Sequence, residues 1–122
     1  MAAEKQFENK VKGFLRTLPN CWYLKYWGGG MSKSGIPDLL CCINGIFISI
    51  ELKASNGKPS ELQKYNTRAI NKANGIGIIL YPEGFEEFKK LIEEVMKCRY
   101  HIPELNVLKN VHTNISCDIL TE

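Results

Sequence analysis

No apolar run in this 122-residue chain is long enough to cross a membrane: the longest, Leu39 to Ile43, is five residues, against roughly 20 for a spanning helix. No signal-peptide pattern opens it either, since Met1-Ala2-Ala3-Glu4-Lys5 leads straight into a polar helix, and the expected compartment is the reducing cytoplasm. The five cysteines, at 21, 41, 42, 98 and 117, are odd in number and lack Cys-x-x-Cys spacing. That argues against a disulfide framework and against zinc. Histidine is scarce: His101 and His112 lie eleven residues apart in the last part of the chain and read as surface residues, not as a metal pair. Neither sign of charge dominates. Sixteen Lys and Arg against 13 Asp and Glu leave +3, which permits a polyanionic partner without arguing for one. Repeats and low-complexity tracts are absent too.

What is there suits one small globular domain. The chain is 44% hydrophobic and 24% charged, ordinary for a domain that buries a real core. Residues 4–18 carry Phe7, Val11, Phe14, Leu15 and Leu18 at helical spacing, ended by Pro19. Cys21 to Trp27 is an aromatic-rich strand, with core on one face and an edge or dimer interface on the other. A polar loop of Gly28-Gly29-Gly30 and Ser32-Lys33-Ser34 follows, and then a hairpin. A second helix is expected from Glu61 to Ala73, closed by Gly75, then a strand to Tyr81 and a third helix from Phe85 to Lys97. The order α-β-β-β-α-β-α implies an α/β fold. Its last strand lies parallel to the strand ending at Lys53, and helices cover both faces of a mixed sheet. Residues 1–97 form this domain, and 98–122 are an extension of unassigned role, expected to pack on it.

Residues 36–53 are the most informative segment. Two apolar runs flank Asn44-Gly45, a pair that suits a two-residue hairpin turn with φ > 0 at both positions. Pairing that mirrors about this turn sets Asp38 opposite Glu51. Directly opposed residues share a face, with Cβ atoms roughly 4.5–5.5 Å apart. Lys53, two positions on, points the same way. Two carboxylates about 5 Å apart repel by roughly 3 kcal/mol at an effective dielectric near 20. A divalent cation would remove that cost, and Asp and Glu oxygens suit Mg²⁺ or Mn²⁺. The plainer alternative is a charged strand end fraying into solvent.

Pro37-Asp38, a twelve-residue gap, then Glu51-Leu52-Lys53 resembles the PD-(D/E)xK nuclease signature. The flanking Gly35-Ile36-Pro37-Asp38-Leu39-Leu40, Ile50-Glu51-Leu52-Lys53 and Gly57-Lys58-Pro59-Ser60-Glu61-Leu62-Gln63 resemble its VRR-NUC branch. The resemblance covers roughly residues 5–82. It implies a restriction-endonuclease-like fold and Mg²⁺- or Mn²⁺-dependent hydrolysis of DNA phosphodiester bonds. Asp38, Glu51 and the Leu52 backbone carbonyl would hold the metal, with Glu8 joining through water and Glu4 as its rival. Lys53 would orient or deprotonate the attacking water. Gln63 would be a site residue, in competition with a capping box in which it reaches back to the Ser60 amide. Glu8 could instead simply pair with Lys12.

Small stand-alone members of this branch resemble Holliday-junction resolvases, so the implied partners are branched DNA, in recombination or repair, and a second copy in a homodimer. Lys25, Lys33, Ser34, Lys58 and Lys64 flank the motif and are candidate phosphate contacts, against a reading as solvated surface. Trp22, Tyr23, Tyr26 and Trp27 could stack on bases. Two other readings stay open: a nuclease for linear duplex, flaps or single strands in restriction or repair, and a non-catalytic nucleic-acid-binding module. The second has no need of the repulsive Asp38–Glu51 pair.

Overall fold

The computed structural model of the protein describes residues 2–27 and 35–98. The expected glycine loop, Lys33, Ser34, both histidines, Cys117 and the extension from residue 99 lie outside these. Helix α1 (Ala2–Arg16) is followed by strands β1 (Cys21–Lys25), β2 (Leu39–Ile43) and β3 (Ile46–Leu52). Helix α2 (Glu61–Lys72), strand β4 (Ile76–Leu80) and helix α3 (Phe85–Lys97) complete the order α-β-β-β-α-β-α. The strands form one sheet in the order β1-β2-β3-β4. β1, β2 and β3 pair antiparallel and β4 lies parallel to β3, so the fold is α/β with a mixed sheet, as the pattern implied. No helix among the described residues is long and apolar enough to cross a membrane.

The hairpin register is the mirrored one. Asn44 and Gly45 both have positive φ, 52° and 84°, and Ile43 pairs with Ile46 and Leu39 with Ile50. Asn44 also ties the turn to the end of α3, its side-chain amide donating to the Val95 and Cys98 carbonyls at 2.9 and 2.6 Å. One face of the sheet carries Leu39, Cys41, Ile43, Ile48, Ile50, Leu52 and Leu80, buried against Phe7, Val11 and Leu15 of α1 and Phe85, Phe88, Ile92 and Val95 of α3. Burying each such side chain contributes about 1.5–3 kcal/mol. Edge-on contacts among Phe7, Phe14, Phe85 and Phe88, with centroids 5.8–6.2 Å apart, join α1 to α3.

Helix α2 lies on the opposite face, which carries Ser49, Glu51 and Gly77. Half of that face is open: Trp22, Leu24, Cys42 and Phe47 are exposed.

Element ends differ from expectation for local reasons. α1 stops at Arg16, not residue 18, because the residue before Pro19 is driven out of the helical region, and the Thr17 hydroxyl bonds the Phe14 carbonyl instead. β1 ends at Lys25, although the Tyr26 amide still donates to the Asp38 carbonyl at 2.8 Å. α2 ends at Lys72, and the left-handed residue that follows is Asn74 (φ 72°), not Gly75. Asn is the commonest substitute for Gly in that conformation.

The seat of α2 depends on Gly77. A Cβ there would stand 2.7 Å from the Thr67 carbonyl oxygen on the facing helix, closer than packed atoms allow. Gly77→Ala is expected to lower stability by about 1–3 kcal/mol in denaturant unfolding. Wild-type stability would contradict this close helix–strand contact.

Candidate functional site

The sequence-derived cluster assembles at one end of the sheet, where β2 and β3 stop pairing. Regular pairing ends at Leu39↔Ile50. The next position would set Asp38 against Glu51, but the Asp38 carboxylate turns onto the backbone, and its Oδ2 accepts from the Leu52 amide at 2.8 Å. The segment leading to Asp38 is fixed by Gly35, whose φ of +97° leaves no room for a side chain against Leu62. Its carbonyl accepts from the Asn66 amide of α2 at 2.8 Å.

Glu51 lies beneath the start of α2 and is 4% exposed. Its Oε2 accepts from the Gln63 side chain at 2.7 Å and faces the Lys53 ammonium at 3.3 Å. Its Oε1 is buried with no partner among the described residues. Burial and then the charge of Asp38 push the Glu51 carboxyl up to about 7, against the opposing pull of Lys53. Burial is the larger cause and the like charge of Asp38 adds to it.

Gln63 corrects an expectation. Capping and site contact appeared exclusive for one side chain, yet it makes both. Its Oε1 accepts from the Ser60 amide at 2.8 Å while its Nε2 reaches Glu51. The box is completed by the Ser60 hydroxyl accepting from the Gln63 amide at 3.1 Å. An amide side chain carries donor and acceptor on separate atoms, so the cap aims the donor at the buried acid.

Glu8 projects from α1 and is buried. Its Oε1 accepts from Lys25 at 2.8 Å and its Oε2 from Lys12 at 3.1 Å, with Lys5 at 3.5 Å. Burial alone would raise its pKa, but hydrogen bonds from Lys25 and then Lys12, with their charges, outweigh it and hold the carboxyl down at about 2. The i,i+4 partner weighed in the sequence is thus present. Glu4, its rival, is one turn earlier and partly exposed.

The candidate phosphate contacts divide. Lys25 is not a free surface cation: besides Glu8, its ammonium lies 3.8 Å from Asp38 Oδ1 and over the Trp27 ring, 5.3 Å from its centroid. Nothing in the sequence indicated this, because thirteen residues separate Lys25 from Leu39, too many for a two-residue turn signal to fix the register. Lys58 is exposed. Lys64 pairs with Glu61 at 3.2 Å.

Among the described residues, no three His, Cys, Asp or Glu side chains are gathered as a ready metal cage. The residues present nonetheless fit a hard divalent cation. Mg²⁺ is commonly held by one or two carboxylates and keeps several waters, and here the unpartnered Glu51 Oε1 stands beside a second carboxylate at a strand end. Searches of family models, curated proteins and solved structures find no match to this chain.

The two buried acids have opposite pH signatures. Glu51 has a folded pKa near 7 against 4.5 unfolded, so the folded state binds the extra proton and stability falls as pH rises through that window. Glu8 is depressed, so its contribution is present above about pH 4.5 and is lost as pH falls toward 2. Glu51→Gln keeps an acceptor for Gln63 and removes the ionisation. It is expected to stabilise the metal-free protein by roughly 2–3 kcal/mol above pH 7, with the gain vanishing near pH 4.5. Parallel stability–pH curves for variant and wild type would contradict this.

Proposed function

We propose that this protein is a metal-dependent endodeoxyribonuclease of the PD-(D/E)xK superfamily, in its VRR-NUC branch and with a restriction-endonuclease-like fold. The observation that carries the reading is the buried Glu51 carboxylate at a strand end, with one oxygen unpartnered, Lys53 at 3.3 Å and the charge of Asp38 near enough to raise its pKa. Such a pair is costly in a fold that uses it only for structure. Four strands, three helices and the parallel β3–β4 step are compatible with that architecture.

In this reading Asp38, Glu51 and the Leu52 carbonyl hold Mg²⁺ or Mn²⁺, and Glu8 assists through water. Strand geometry supports the Leu52 assignment, since a residue's N–H and C=O face the same neighbour and the Leu52 N–H faces Asp38. When bound, the cation polarises a phosphate and lowers the pKa of its water. The Lys53 ammonium, 3.3 Å from Glu51, would orient the attacking water and stabilise the negative charge added to the phosphate. Gln63 restrains Glu51 from above. Lys58 and Lys64, with Lys33 and Ser34 from the segment before Gly35, position the DNA backbone without reading bases.

The substrate class we infer is branched DNA, cut by a homodimer. One domain holds one such site, and paired cuts need two copies about a two-fold axis. The exposed Trp22, Leu24 and Phe47 form an apolar surface that supports self-association.

Asp38→Ala or Glu51→Ala is expected to abolish Mg²⁺- and Mn²⁺-dependent cleavage while leaving DNA binding nearly intact in gel-shift assays, because phosphate contacts lie elsewhere. Retention of more than a few per cent of activity would sink the assigned site. Purified protein should also sediment as a dimer and cut a four-way junction far faster than a flap, linear duplex or single strand, with binding that weakens steeply with salt. A monomer cutting junction and linear duplex equally well would favour the general endonuclease instead.

A further inference from the structure

Lys25 stands where a surface lysine has no reason to be. Its ammonium is held between Glu8 Oε1 at 2.8 Å and Asp38 Oδ1 at 3.8 Å, and by register its strand position faces the core, opposite Leu39. Three carboxylates, Glu8, Asp38 and Glu51, thereby meet four ammonium groups, from Lys5, Lys12, Lys25 and Lys53, within ion-pair distance. A divalent cation adds two positive charges to a set that already holds more ammonium than carboxylate groups, which favours release of an ammonium.

We propose that Lys25 is an exchangeable counter-ion. It neutralises Glu8 and Asp38 while no metal is bound, and cation binding at Asp38 expels its ammonium onto the phosphate backbone of the DNA. This rests on the metal-site reading above.

Of the two ammonium groups paired with Asp38 and Glu51, Lys25 is the one that can leave more easily. Without it Glu8 keeps Lys12 at 3.1 Å and Asp38 keeps the Leu52 amide at 2.8 Å. Lys53 is different: it is the one cation against Glu51 among the described residues, whose other oxygen already lacks a partner. An exit path is also present. The ammonium lies 5.3 Å from the centroid of the Trp27 ring, and Trp27 is 74% exposed. An indole face retains a cation by attraction to its π-electrons while the flexible four-carbon stem swings outward. A resting ion pair thus becomes a phosphate contact only in the loaded enzyme, coupling metal binding to DNA grip.

The test is calorimetry with Mn²⁺ alone on the full chain. Lys25→Met keeps the stem and removes the charge, and it is expected to bind Mn²⁺ about tenfold tighter than wild type. Lys25→Arg keeps the competing charge and should not tighten binding. In a Trp22→Phe background, Mg²⁺ should change Trp27 emission when residue 25 is Lys and not when it is Met. In gel shifts with Ca²⁺, the salt slope of DNA binding should be steeper for wild type than for Lys25→Met by about 0.9, one phosphate contact, and equal without metal. If Mn²⁺ binding is lost in Asp38→Ala while Lys25→Met binds no tighter than wild type, the metal site stands and the exchange is wrong. Absence of Mn²⁺ binding in wild type overturns both. Should Lys25→Met fail to fold, an unchanged Trp27 signal in the Lys25 protein is enough to reject the exchange.

Discussion

Glu51 is buried at a strand end with one carboxylate oxygen satisfied by Gln63 and Lys53 and the other by nothing among the described residues. Burying an ionisable group without full compensation is among the largest local costs a small domain can carry. Its surroundings are arranged around that cost. The capping box at the start of α2 aims Gln63 at the acid, the seat of α2 over Gly77 sets how closely Gln63 approaches, and Asp38, the nearest like charge, is turned onto a backbone amide. The raised Glu51 pKa is the cost that remains.

The two faces of the sheet divide the work. Apolar residues against α1 and α3 supply the stability, which allows the other face to carry polar and strained features. Glu8 and Lys25 belong to the α1 side, and Glu51, Lys53 and Gln63 to the α2 side. They meet only at the strand end, where the sheet no longer separates them. That separation accounts for acids drawn into one electrostatic network without forming a closed cage.

Local chemistry made much of this legible in the sequence. Asn44-Gly45 admits few turns, so the hairpin register and the shared face of Glu51 and Lys53 followed from it. The capping box at Ser60 and the amphipathic α3 were equally local. What was not legible depended on contacts with no short-range signature. The register of β1 against β2 is set across a long connection, so the insertion of Lys25 between Glu8 and Asp38 was not foreseen. Nor was the turn of the Asp38 side chain onto the Leu52 amide, which appears only once the ladder ends. The two roles of Gln63 use different atoms of one amide, a division that no pattern of residue types displays.

A cation held by Asp38 and Glu51, as proposed, must relieve the cost of burying Glu51 beside a like charge. The most direct measurement is an NMR titration of the Glu51 carboxyl carbon with and without saturating Mg²⁺. A midpoint near 7 is expected in metal-free protein, with a fall of at least about 2 pH units once Mg²⁺ is present, since an adjacent cation favours the ionised form. A Glu51 that titrates near 4.5, its ordinary value, and ignores Mg²⁺ would contradict it.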